Sequence, residues 1–162
     1  MHSRRMALAA ILTFVLGILL LLSAAFIAQP VYVEGNSMYP AIEDGELVLI
    51  SKVIDTLSRG DIVIFYEPRS KIESEVKRVV GLPGEEIWMN ERGEIYIDET
   101  LIEEPYVLSS RNHRPRGISR QVIKEGCYFL LGDNRDVSSD SRSFGPVPRR
   151  LIFGKVVGRI GL

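Results

Sequence analysis

A serine hydroxyl becomes a nucleophile only when a base takes its proton and donors hold the oxyanion that follows. Ser37 stands in Gly35-Asn36-Ser37-Met38-Tyr39-Pro40, residue types that turn a chain and hold a short side chain outward. As a turn residue it needs no partner. As a nucleophile it needs a base, and the chain has only two histidines, His2 and His113. His2 precedes a long apolar stretch and Ser37 follows it. His113 lies in an arginine-rich loop at residues 109–120, where nothing in the sequence orients it. Lysine is the other choice. It acts as a base only when neutral, and apolar burial favours the neutral form because the ammonium loses its hydration. Lys77 fits, with Val76, Val79 and Val80 around it. In an extended strand its side chain shares a face with Glu75 and Val79, and Arg78 points the other way. An exposed edge lysine gives the same pattern, and 40 residues separate Ser37 from Lys77, so spacing leaves both readings open.

A third cluster spans residues 132–145, Gly-Asp-Asn-Arg-Asp-Val-Ser-Ser-Asp-Ser-Arg-Ser-Phe-Gly. Its composition allows a solvated loop. It also allows an acidic metal loop, which its arginines would oppose. A third reading is a self-bonded loop in which Asp–Arg pairs fix serine hydroxyls beside a site.

The elements that must position these residues follow from the apolar pattern. Residues 6–28 carry no charge. As a helix they span about 34 Å, enough for a hydrocarbon core of about 30 Å. Arg4 and Arg5 before them favour a cytoplasmic N-terminus at residues 1–5. A cleavable signal peptide is the competing reading, with Ser23-Ala24-Ala25 as small residues for cleavage. The apolar run exceeds the usual signal-peptide core, which favours a retained anchor. Gln29-Pro30 ends the helix. Short β-branched runs follow at 31–33, 46–53, 62–66, 75–80, 86–89, 94–97, 127–132 and 149–160, with no long amphipathic helix among them. They predict a mostly antiparallel β domain over residues 29–162, with residues 84–126 as an elaboration, behind one N-terminal transmembrane helix.

Net charge is -1 but unevenly spread. Residues 31–110 hold 7 Lys/Arg and 17 Asp/Glu, a net of -10; residues 111–162 hold 11 and 4, a net of +7. Two mutually neutralising faces explain this, as does a basic surface on anionic lipid. The scattered basic residues lack the aromatic-rich motif of nucleic-acid binding, so no nucleic-acid partner is expected. Cys127, the single cysteine, excludes an intramolecular disulfide and a multi-cysteine zinc site.

Four separated stretches together resemble one family. Gly35-Asn36-Ser37-Met38-Tyr39-Pro40, Arg59-Gly60-Asp61-Ile62-Val63, Lys77-Arg78-Val79-Val80-Gly81-Leu82-Pro83-Gly84 and the 132–145 cluster resemble the boxes of bacterial type I signal peptidase (leader peptidase). This is the membrane-bound Ser/Lys-dyad serine endopeptidase family. The order of the boxes and the preceding apolar segment agree with it. The resemblance implies Ser37 as nucleophile, Lys77 as general base and Ser138 hydrogen-bonded to the lysine amine. It implies Asp133, Arg78, Asp140 and Arg142 as a structural ion-pair network.

The same resemblance implies cleavage of signal peptides from exported preproteins after small residues, at an Ala-x-Ala type site. No cofactor or metal is implied. The partners would be preprotein signal peptides and membrane lipid, and the protein a monomer. It would sit in the bacterial cytoplasmic membrane with its catalytic domain outside. By alignment, Val31, Val33, Met38, Ile42 and Val76 line the small pockets. Some relatives carry a serine two positions before the nucleophile as an oxyanion donor. Here that position is Gly35. A self-cleaving repressor-type Ser/Lys peptidase shares the chemistry, but an anchored extracytoplasmic domain does not suit it. The remaining alternative is a non-enzymatic, membrane-tethered envelope β domain.

Overall fold

The computed structural model describes residues 6, 10–18, 28–70, 72–113 and 117–160. Two antiparallel sheets make up the fold among these residues. The first runs in the order β1-β2-β11-β3-β4-β9-β10. Its strands are β1 (Ala28–Tyr32), β2 (Leu47–Ser51), β3 (Ile62–Tyr66), β4 (Ser74–Gly81), β9 (Cys127–Leu131), β10 (Val147–Pro148) and β11 (Ile152–Arg159). The second runs β7-β6-β5-β8, from β5 (Glu86–Met89), β6 (Ile95–Ile97), β7 (Thr100–Leu101) and β8 (Gln121–Val122). The mostly antiparallel β domain predicted from the strand pattern is therefore present.

The strands form where β-branched and aliphatic residues alternate with polar ones. In β2 the burial alternates residue by residue, with Val48 and Ile50 inside. β4 is different: Val76, Lys77, Val79, Val80 and Gly81 are all buried. It is paired on both edges, by β3 and β9, and its side chains pack into apolar clusters on both faces, Val76 in one and Val79 and Val80 in the others. That position makes Lys77 a core residue and not the edge residue that its pattern also allowed. The apolar runs expected at 86–89 and 94–97 form a hairpin, β5 paired with β6. Asn90 closes its turn, its Oδ1 accepting from Arg92 N at 3.0 Å and Glu94 N at 2.9 Å.

Three apolar clusters hold these layers. Val80, Ile87, Ile95, Ile97, Ile123, Phe129 and Leu131 join the two sheets. Val33, Met38, Ile42, Val48, Ile50, Ile64 and Val76 pack under the Ser37 turn. Val63, Phe65, Val79, Leu130, Val147 and Ile152 fill the other side of the large sheet.

The N-terminal expectation needs a correction at its boundary. The anchor was expected to run to Ala28, but Ala28 opens β1, paired with Ser51. Pro30 lies inside that strand opposite Leu49. This is tolerated because β1 is the sheet edge, where one row of N–H groups needs no partner. Residues 10–18 are helical, while 7–9 and 19–27 of the predicted span, and residues 1–5 before it, lie outside the described residues. Among the described residues no helix is long and apolar enough to cross a membrane.

Candidate active site

The register of the large sheet gathers the three chemical stretches. Arg78 of β4 pairs with Leu131 of β9, so the loop that begins at Gly132 emerges beside Lys77 and Arg78. The turn between β1 and β2 comes over the same end. Its Met38 is fully buried and anchors the turn from below, leaving Ser37 half-buried beside it. Gly35 adopts φ +86° and donates its N–H to Asp44 Oδ1 at 2.6 Å. A side chain is disfavoured at that φ, so this turn favours glycine at position 35 over a residue with a hydroxyl. Asn134 then ties the turn to the far loop. Its N–H donates to Ser37 O and its Nδ2 to Asn36 O, both at 3.0 Å.

Lys77 Nζ sits 3.0 Å from Ser37 Oγ. It donates to Glu75 Oε2 at 2.7 Å and to Val76 O at 2.9 Å. The lysine side chain is 0% exposed. The structure thus brings Ser37 and Lys77 together and not Ser37 and His113. The imidazole of His113 is largely exposed and lies 3.2 Å from Asp136.

Ser138 departs from expectation. Its Oγ is buried without a hydrogen-bond partner, so the bond expected between Ser138 and the lysine amine is not made. Gly132 explains where that hydroxyl lies. A Cβ on Gly132 would collide with Ser138 Oγ and come within 2.7 Å of Ser37 O. Gly132→Ala therefore has to push the nucleophile turn. We expect it to cost about 1–3 kcal/mol of stability, as overpacking does, and to lower kcat by more than it raises KM. Thermal melts and steady-state kinetics check both.

The ion pairs flank this junction. Arg78 grips Asp133 with two bonds, Nε to Oδ1 at 2.8 Å and Nη2 to Oδ2 at 2.6 Å. Burial pushes the Asp133 carboxyl up from its ordinary range, and the pull of Arg78 only partly offsets it. Burial also works against the Arg78 cation, but the Asp133 carboxylate outweighs it and holds the guanidinium above its usual range. Tyr106 stacks on Arg78 at 4.0 Å and donates to Glu104. Burial, then the Glu104 charge, raises its phenol well above normal. Asp140 accepts from Arg142 Nε and Nη2, both at 2.8 Å, and from Gly132 N at 3.1 Å. The self-bonded reading of the 132–145 cluster is the one the geometry matches.

Two grooves share Glu34 and Glu75, and one of them reaches Ser37. One, of about 380 Å³, is lined by Glu34, Asn36, Ser37, Glu75, Lys77 and Ser139 among others. The other, of about 490 Å³, runs between the β1 edge and β4 and includes Val31, Val33, Ile64 and Val76. Of the five expected pocket residues, Val31, Val33 and Val76 line it. Met38 and Ile42 are packed in the core beneath, at 0% and 1% exposure.

Residues 5–160 match the family model described as "Signal peptidase, peptidase S26". The chain belongs to the signal peptidase, peptidase S26 family. It is 39% identical over 136 residues to Signal peptidase I T of Bacillus subtilis (strain 168), covering 78% of this chain and 69% of that protein. It is 33% identical over 158 residues to Signal peptidase IB of Staphylococcus aureus (strain COL), covering 86% of this chain and 81% of that one. Among solved structures, a signal peptidase I from Enterococcus faecalis V583 superposes with a TM-score of 0.53 at 29% identity, covering 67% of this chain and all of that one. This member of the family is a hydrolase of the signal peptidase I type, a serine endopeptidase.

Several contributors in this peptidase were not singled out from sequence. Asn134 and Arg135 stood in the 132–145 cluster without a role; Arg135 donates to Glu104 Oε1 at 2.6 Å and to Gly132 O at 3.0 Å. Glu75 had a signal, its place two residues before Lys77 on one strand face. Glu104 and Tyr106 had none, because only the fold of the second sheet carries them to Arg78.

Proposed function

We propose that this chain cleaves N-terminal signal peptides from exported preproteins, after small residues, with Ser37 as nucleophile and Lys77 as general base. The observation that carries the reading is the 3.0 Å approach of Lys77 Nζ to Ser37 Oγ with the lysine fully buried. Neutral Lys77 takes the Ser37 proton as the hydroxyl attacks the scissile carbonyl. The tetrahedral oxyanion is held by the Ser37 N–H and a further donor other than a Gly35 side chain. It collapses to an acyl-enzyme as the ammonium gives its proton to the leaving amine. Lys77 then activates the water that releases the acid product. Arg78, Asp133, Asp140 and Arg142 keep the two loops in register.

An extended peptide laid along the groove beside β1 and β4 meets Val31, Val33 and Val76, a surface that suits small apolar side chains. Residues 6–27 act as the anchor, with residues 1–5 in the cytoplasm and the peptidase domain outside the bacterial cytoplasmic membrane. The apolar side chains of helical residues Ile11, Leu12, Phe14, Val15, Leu16 and Ile18 are exposed, which suits lipid as their surroundings. The catalytic unit works as a monomer.

The test is cleavage of a preprotein with an Ala-x-Ala site by the full-length chain in detergent or vesicles. Wild type should cut after the second alanine. Ser37→Ala should abolish the cut, and His113→Ala should retain it. A Ser37→Ala variant that still cuts would overturn the reading.

A further inference from the structure

The lysine amine has two close oxygen partners besides the serine of a Ser/Lys dyad. Nζ is surrounded by Cε and three oxygens: Ser37 Oγ, Val76 O and Glu75 Oε2. A neutral amine has two N–H donors and one lone pair. The carbonyl and the carboxylate can only accept, so they take both donors. The lone pair is then left facing Ser37 Oγ, which donates its proton along that line. No other assignment satisfies all three contacts with a neutral lysine. Ser138 Oγ, the orienting group expected from resemblance, makes no bond. Glu75 occupies that role in this geometry.

We propose that Glu75 is a positioning residue that makes the site a Ser37–Lys77–Glu75 relay, a deepening that rests on the signal-peptidase reading above. Its carboxylate aims the lone pair at Ser37 before the reaction. It then faces the ammonium that forms as Ser37 attacks, and its charge stabilises that ion. The proton moves from Ser37 Oγ to Lys77 Nζ and on to the leaving amine, and none is transferred to Glu75. The Glu75 side chain is 34% exposed. It lines both grooves at their junction, so a bound peptide covers it. Removing water there strengthens the pair at the moment of reaction.

The charged groups around this amine can be named. Glu75 comes from β4, and Glu34 lines the same groove from the connection between β1 and β2. Glu73 lies farther along the second groove. The β3 residue in register with Lys77 is Val63, and the loop after β9 contributes Val137 and Ser139.

In the free enzyme the carboxylate favours the ammonium, the inactive form. Removing its charge takes away the counter-ion of the ammonium and moves the acid limb of the pH–rate profile to lower pH. The same change lowers the plateau kcat, because the ammonium formed during attack has lost its counter-charge. Glu75→Gln should show both effects, with a plateau loss of about tenfold. Glu75→Ala, which also loses the aim, should lose more. Glu75→Asp should recover part of the Glu75→Ala loss. KM should change little in each.

The experiment measures kcat and KM for full-length wild type and these variants against pH on the Ala-x-Ala preprotein, with melting temperatures to show folding. An NMR titration of ¹³Cε-labelled lysine reads Lys77 protonation without turnover, so it still decides the inference if the preprotein is not a substrate. Glu34→Gln is the comparison for a general field effect. A Glu75→Gln shift clearly larger than that of Glu34→Gln supports the proposal. Wild-type kcat and an unshifted profile in Glu75→Ala would overturn it, as would equal shifts in the two Gln variants.

Discussion

Lys77→Met lowers kcat on the preprotein by at least on the order of 10³-fold while the melting temperature holds or rises. The two halves of this result have different causes. Methionine keeps the length and most of the volume of lysine, so the 0% exposed site stays filled. It has no proton acceptor, so Ser37 meets no base, and loss of one member of such a unit costs several orders of magnitude. Removing a buried amine also removes the cost of keeping it from water, which is why stability does not fall. Glu75, left without its partner, is exposed enough to be hydrated. Lys77→Arg should be equally inactive, since a guanidinium does not give up its proton. Single-turnover cleavage and calorimetry on the same preparations check both halves. Substantial cleavage by Lys77→Met would remove lysine from the mechanism.

Asp140→Ala should act in the opposite way, on the fold first and on activity through it. Asp140 is fully buried and accepts two bonds from the Arg142 side chain, whose own exposure is 1%. Its loss strands a buried guanidinium, and breaking such a pair costs about 3–5 kcal/mol. Single domains carry about 5–15 kcal/mol in all, so the melting temperature should fall by about 10 °C or more. Asp140 also holds Gly132 N, and Gly132 lies against Ser37 O. Activity should therefore drop at temperatures where the variant is still folded. Asp140→Ala with Arg142→Met should regain part of the stability, because the stranded charge goes with its partner. A double-mutant cycle by urea unfolding measures that recovery. A single-variant cost within the range of ordinary surface substitutions would show that the pair is not structural.

Composition and spacing determined a good deal by themselves. The alternation of β-branched and polar residues is a local property, set by the two-residue period of a strand, so most of the strands could be read directly. The short supply of histidine, and Lys77 as the other base, are matters of residue identity. So is Gly35, whose missing hydroxyl removes a donor whatever the fold. Other features depended on partners distant in sequence. The burial of Lys77 comes from the Ser37 turn and the loop after β9, which lie against it over the middle of the sheet; an identical run with nothing over its face would be wet. The start of β1 at Ala28 comes from pairing with β2, which overrode the apolar pattern that extended the anchor to that residue.

Within the site, the local pattern offered Ser37, Lys77 and the Asp–Arg cluster as candidates and the family resemblance gave them roles, but neither said which atoms meet. Only the tertiary structure left Ser138 Oγ unbonded, placed Glu75 on the lysine amine and put Met38 and Ile42 beneath the groove instead of on its wall. The physical reason is the same in each case. A side chain's type is carried by the sequence, whereas its hydration and hydrogen-bond partners depend on which segments the sheet register brings against it. For a base that must be neutral to work, those surroundings decide the chemistry.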